Sequence, residues 1–323
     1  MAVAGNVLRG RRRTLPGLRR LWAPISETQG LARIMLVTGA AVTLFFVVLA
    51  FFARWIAPYG FSQYASNGHR FPQLAAPSAA HLMGTTVESD DVLARVIWGA
   101  QTELKVVVLA LALSLAAGVP LGLVSGYFGG FLDRGLVLVM DALFAFPPLL
   151  LAIVIAFLLG NPGVLTAAIA ITVVYVPQYF RVVRNHVISV REETYVEAAR
   201  ALGARPATII RKYVFFNVVQ NVPVIATLNA ADAILTLAGL GFLGYGVQPT
   251  QAAEWGYDVQ RALSDATNGV WWTGLFPGLA IVILVTGITL LGEGLNETIN
   301  PVLRRRRIVR VVFGTRPGEE LVE

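Results

Sequence analysis

The chain has 323 residues, 56% hydrophobic and 14% charged, with 26 Lys and Arg against 19 Asp and Glu, no cysteine, and a mean hydropathy of +0.66. Soluble domains carry about 25% charged residues, and a water-soluble fold of this length lacks the polar cover for so much apolar surface. The missing cysteines exclude a disulfide scaffold, thiol catalysis and Cys-based metal sites, and a membrane protein is the class that remains.

A membrane helix needs about 20 mostly apolar residues at 1.5 Å rise per residue. The chain opens on a tail, 1–33, that carries seven arginines from Arg9 to Arg33. Its Arg11-Arg12-Arg13 run superficially suggests an export signal. The apolar stretch that follows starts some twenty residues later and is too long for one, so the run reads as a flank that fixes orientation and touches anionic lipid. The first span covers 34–56. A loop at 57–103, punctuated by Pro, Gly and Ser, turns amphipathic from Val92 to Trp98. The core, 104–300, holds five more apolar stretches at 105–124, 136–159, 164–180, 218–240 and 273–295, and a tail at 301–323 closes the chain. Gly160-Asn161-Pro162-Gly163 makes the short turn between the third and fourth spans. The composition and spacing predict an all-α polytopic membrane protein with six transmembrane helices.

Six spans place both termini on one side. Twenty-one of the 26 Lys and Arg fall on the face that includes both tails, Arg134 and the loop 181–217. Arg54, Arg70, Arg95, Lys105 and Arg261 fall on the other, so the positive-inside rule makes both termini cytoplasmic. Trp255, Trp271 and Trp272 in the external loop 241–272 are expected at the membrane–water interface, where an indole keeps its N–H wet.

The cytoplasmic loop 181–217 carries the most information. Glu192 to Leu202 reads as a short helix, opened by acids at its positive end and closed near Arg200. Gly203 supplies a left-handed cap and Pro206 the first turn of a second helix. Small Ala198 and Ala199 leave room for another surface.

Glu197-Ala198-Ala199, three residues, then Gly203 resembles the EAA loop of the permease subunits of binding-protein-dependent ABC importers. Further blocks narrow the resemblance to the C-type subunit of the dipeptide/oligopeptide/nickel group. They are Leu240-Gly241-Phe242-Leu243-Gly244 with Glu254-Trp255-Gly256, Phe276-Pro277-Gly278, Leu291-Gly292-Glu293-Gly294-Leu295, and upstream Gly84-Thr85, Asp91-Val92-Leu93 and Gly126-Tyr127-Phe128-Gly129-Gly130. The resemblance implies a type I ABC importer permease (MetI-like) fold in the bacterial inner membrane. It implies an ATP-driven importer of dipeptides or oligopeptides in which this chain is half of the pore and is not itself an enzyme. Glu197, Ala198, Ala199 and Gly203 would then couple it to the ATPases. The implied partners are a second, homologous permease in a heterodimer, two ABC ATPase subunits or domains that bind ATP and Mg, an extracytoplasmic peptide-binding protein and membrane lipid, with no nucleic acid. The sequence departs from the family where Phe215-Phe216-Asn217 replace its usual Leu-Pro-Asn and Leu237 its usual glutamate. Nickel chelates, glutathione and other peptide-like solutes are alternative cargoes, and an ion-coupled secondary transporter is the rival class.

Two carboxylates sit inside predicted spans, Asp141 in the third and Asp232 in the middle of the fifth. Ionisable groups in a bilayer are functional candidates, on the pore or the subunit seam, unless neighbouring helices hydrogen-bond them. Glu293 and Glu297, one turn apart on the last span, read as interface or tail-pairing residues. His69, His81 and His186 lack metal-site spacing, and neither lysine follows a glycine, so no cofactor, metal or phosphate loop is expected in this chain.

Overall fold

The computed structural model describes residues 30–299. Apart from 30–33, the two basic tails lie outside the described residues, as do the Arg304–Arg307 run and the tail-pairing expected of Glu293 and Glu297.

Helix α1, Leu31–Phe51, extends into a short α2, Ala53–Ile56. The loop beyond it contains a hairpin of β1, Ala65–Ser66, and β2, His69–Arg70, joined by Asn67-Gly68 with both φ angles positive. That is the Asn-Gly signature of a two-residue turn whose twist matches its strands. Helix α3 starts at Val92, well before the predicted span, and runs 37 residues to Phe128. Asp91 explains the early start: one carboxylate oxygen accepts the Ala94 N–H at 2.7 Å as an N-cap, and the other meets His81 Nδ1 at 2.8 Å. At 1.5 Å per residue α3 is about 55 Å long, against roughly 30 Å of hydrocarbon, so several turns project beyond a bilayer.

The third predicted span is broken. Helix α4, Gly130–Phe144, and helix α5, Pro148–Leu159, meet at 97°. Pro148 forces its predecessor out of the helical region, and Pro147 accordingly has ψ 130. Asp133 near the start of α4 is held by Arg184, while Gly163 just past α5 lies against Gln251 in the loop after the fifth span. The bent pair therefore runs from one end of the molecule to the other.

Helix α6, Val164–Arg191, packs along α3 over its whole length. Gly118, Gly122 and Gly126, one per turn on α3, lie directly on the α6 backbone, and a Cβ on any of them would sit 2.8–2.9 Å from the Val176, Phe180 or Arg184 carbonyl or a neighbouring Cβ. Three short segments follow: α7, Thr194–Ala201; α8, Pro206–Ile209; and α9, Phe215–Val218. A π-helical turn, Ile210–Val214, precedes α9, and a 3-10 turn, Val219–Asn221, leads into α10, Val222–Phe242. The backbone before α10 is thus irregular although the family's proline is absent. Helix α11, Trp255–Ala266, lies across the end of the bundle, and α12, Trp272–Ile299, returns along α1. Gly39 and Gly294 let α1 and α12 touch backbone to backbone.

Among the described residues, five helices are long and apolar enough to cross a membrane, and the bent pair makes a sixth crossing when taken as one span. The main core joins α1, α3, α5, α6, α10 and α12 through residues such as Phe46, Val106, Ile171, Tyr175, Ile234 and Leu284.

Candidate coupling surface and transmembrane carboxylates

Helix α7 is eight residues long and ends in a complete Schellman cap. The Gly203 N–H donates to the Arg200 carbonyl and the Ala204 N–H to the Ala199 carbonyl, both at 3.0 Å, with Gly203 at φ 78. Its inner face is anchored: Val196 and Ala199 are buried, and Val196 joins Val183, Val187, Ile209, Val214 and Val218 in a separate small core under the loop. Its outer face is bare. Glu197, Ala198, Ala201 and Leu202 are all exposed, Leu202 at 88%. The four residues singled out by the EAA pattern therefore divide. Glu197, Ala198 and Gly203 face outward, and Ala199 packs against the chain itself. Asn217 ties α9 to α7, its Nδ2 donating to the Tyr195 hydroxyl at 3.0 Å and to the Tyr213 carbonyl at 2.6 Å. Small and apolar side chains on a rigidly backed, solvent-facing helix suit a protein partner.

Beside this loop a polar network fixes α4 to α6. Arg184 donates to both oxygens of Asp133, at 2.6 and 2.7 Å, Ser125 Oγ donates to the same carboxylate, and Arg191 donates to the Gly126 carbonyl at 2.9 Å. Asp141 belongs to this end: Arg181 donates to it at 2.6 Å and lies 4.0 Å over the Phe144 ring, with both charges partly exposed. It is a paired carboxylate.

Asp232 is different. It is exposed near the middle of α10, Oδ2 accepts the Tyr175 hydroxyl proton at 2.8 Å, and no Lys, Arg or His pairs with it among the described residues.

At the opposite end, the turns of α3 beyond the span meet α11. Arg95 donates through Nε to Asp258 at 2.9 Å and through Nη1 to the Phe61 carbonyl at 3.0 Å, and lies 3.4 Å from Asp90. Burial pushes the Asp258 and Asp90 carboxyls up, and Arg95 pulls both back. Trp255, expected at the interface, is fully buried: its indole donates to the Val96 carbonyl at 3.0 Å and its ring lies on Gly99. Trp272 is buried too, donating to the Thr85 carbonyl at 3.2 Å, and only Trp271 is exposed. A backbone carbonyl replaces water for each buried indole, which is why the interfacial reading fails for these two. Glu254 caps α11, accepting the Gly256 and Tyr257 N–H groups at 2.8 Å, and fills the space left by the missing Cβ of Gly241.

Comparison with known proteins matches residues 118–305 to the family described as binding-protein-dependent transport system inner membrane component. The chain is 36% identical over 271 residues to the dipeptide transport system permease protein DppC of Alkalihalophilus pseudofirmus, covering 83% of this chain and 86% of the relative. It is 34% identical over 271 residues to the glutathione transport system permease protein GsiD of Escherichia coli O6:K15:H31, covering 84% and 87%. Among solved structures it is similar in fold to a chain of the MetNI methionine ABC transporter in inward-facing conformations, with TM-score 0.53, 21% identity, and coverage of 64% of this chain and 96% of that one.

Proposed function

This chain belongs to the family of binding-protein-dependent transport system inner membrane components, as a multi-pass permease subunit of an ABC importer in the plasma membrane, and we propose that its cargo is a dipeptide, an oligopeptide or a peptide-like solute such as glutathione. ATP hydrolysis belongs to partner chains. The reading extends to a six-span topology with both termini cytoplasmic, to a second homologous permease completing the pore, and to an extracytoplasmic receptor that delivers the peptide. The tails 1–33 and 301–323 then flank a first span at 34–56, the external loop 57–103 and the permease core 104–300.

The observation that carries the mechanism is α7: a short helix with a bare outer face, backed by its own hydrophobic cluster and capped by Gly203. Closure of two ATPases on such helices transmits a rigid push. The push passes through α8, the π-turn and α9 into α10, and through Val183 and Val187 into α6. Glu197, Ala198 and Gly203 face the ATPase, and Ala199 keeps α7 close to the α6 base. Of the two membrane carboxylates, Asp141 is committed to Arg181, which leaves Asp232 for the pore or the seam.

Purification in mild detergent from cells at native expression, followed by mass spectrometry, tests the assembly. A second six-span permease and one or two nucleotide-binding ATPases should accompany this chain, and the reconstituted complex should import dialanine or glutathione only with ATP. A chain that purifies alone and transports on an ion gradient would establish the secondary-transporter alternative instead.

A further inference from the structure

From Leu228 onward, all but Ala230 of the exposed and half-buried positions of α10 form one stripe. Leu228, Asp232, Leu235, Gly239 and Phe242 recur at alternating spacings of four and three, while Asn229, Ala233, Ile234, Thr236 and Leu237 between them are buried. Asp232 is the charge in that stripe. Tyr175, fully buried on α6, commits its only hydroxyl proton to Asp232 Oδ2 at 2.8 Å. Thr236 Oγ1 lies 3.3 Å from the same hydroxyl and donates to the Asp232 backbone carbonyl at 3.0 Å. These contacts orient the carboxylate without neutralising it. Asp90, Asp133, Asp141 and Asp258 each have an arginine, whereas Asp232 has no cation among the described residues. A bare carboxylate facing hydrocarbon in mid-span is costly, so its face is wetted or meets a cation. Further along the same stripe lies an open groove of about 440 Å³ lined by Leu149, Gly239, Phe242, Leu243, Gly256 and Val259 among others. Its lining on α10 begins at Ala238, six residues from Asp232, or about 9 Å at 1.5 Å per residue.

We propose that this stripe is the wall the chain presents to the translocation path, with Asp232, held by Tyr175 and Thr236, as the subsite for the protonated α-amine of a short peptide, and the groove at Gly239 as the subsite for an apolar side chain further along it. An extended peptide of about three residues spans that separation. The assignment rests on the peptide-import reading and adds to it which end of the cargo this subunit holds.

The chain has no cysteine, so one introduced residue reports alone on it. Leu235, 51% exposed and one turn from Asp232, is the site, with Leu228 on the other side as a second reporter should Leu235→Cys disturb assembly. In the complete transporter, reconstituted in nanodiscs, labelling by cationic and anionic methanethiosulfonates is read by mass on this chain. A nearby carboxylate should make the cationic reagent react about tenfold faster, and Asp232→Asn in the Leu235→Cys background should abolish that preference. Trialanine should protect the cysteine, and Asp232→Asn should raise the concentration needed about tenfold, with Asp232→Glu restoring much of it. No labelling by either reagent would put the stripe against lipid or a sealed subunit contact and overturn the proposal. Labelling without a cationic preference would overturn it as well, as would import of trialanine with no protection. A wild-type complex that imports neither trialanine nor glutathione would overturn the peptide-import reading, and the ligand assigned here with it.

Discussion

Where α11 begins, two carboxyl groups meet. Glu103 is fully buried on α3, with no cation beside it; its polar neighbours are the carboxyl of Glu254 and the Trp255 backbone N–H. Two such groups stay together only when one keeps its proton. Burial raises Glu254 to about 7, although the helix N–H groups of Gly256 and Tyr257 pull it down. The sign of the stability effect follows from that shift. The folded chain holds a proton that the unfolded chain releases near 4.5, so between about pH 4.5 and about pH 7 folding binds protons and stability falls as pH rises. Thermal unfolding of the detergent-solubilised protein should show its midpoint dropping across that window. Glu254→Gln keeps an acceptor for the α11 N-terminus and offers Glu103 a donor. The variant should lose the share of the slope that belongs to Glu254, while buried Asp90 and Asp258 keep theirs, and an unchanged profile would place the proton elsewhere.

At the scale of single elements, two glycine positions separate crowding from backbone conformation. Gly122 is crowded: a Cβ there meets the Phe180 carbonyl at 2.8 Å and Val183 Cβ at 2.9 Å, neither of which is the free end of a flexible side chain. Gly122→Ala should therefore cost about 1–3 kcal/mol by forcing α3 from α6, whereas Gly135→Ala on α4, with nothing within 4 Å, should be neutral or gain up to about 1 kcal/mol of helix propensity. Denaturation of the two variants in the same detergent compares them directly. Gly203 is open around its Cβ position and is constrained by its φ of 78 alone. Gly203→Val should leave insertion and α10 packing intact but unwind the cap of α7. Uptake per ATP hydrolysed should fall severely in proteoliposomes, while Gly203→Asn, which tolerates the left-handed region, should retain much of it. Full uptake by the valine variant would remove α7 from the coupling path.

Across the whole molecule, what the sequence made legible was what lies close together along it. The α7 helix, its glycine cap and Pro206 at the start of α8 form a local pattern, and the structure has each of them in place. Arg95 and Asp258 are 163 positions apart, and the glycines of α3 mark a close contact only once α6 is known to lie on them. Nothing local distinguishes a buried Trp255 from an interfacial one, since its partner is the Val96 carbonyl 159 positions earlier. The apolar stretch 136–159 reads as one span because hydropathy averages over Pro147-Pro148, and the 97° bend becomes visible only in three dimensions. That bend decides the topology. If α4 and α5 together cross the bilayer, the turn 160–163 lies outside with Gln251, and α7 lies inside with Arg134. If α4 and α5 re-enter on one side, the turn returns to the face of Arg134, α6 alone separates it from α7, and the positive-inside count loses its symmetry. Phe131, at the start of α4, and Asn161 are both exposed, and the chain has no cysteine of its own. In intact cells an impermeant maleimide should label Asn161→Cys, and should label Phe131→Cys only after the membrane is opened. The same outcome for both variants, labelling in intact cells or only after lysis, would make the pair a re-entrant loop, leave five crossings, and put the two termini on opposite sides.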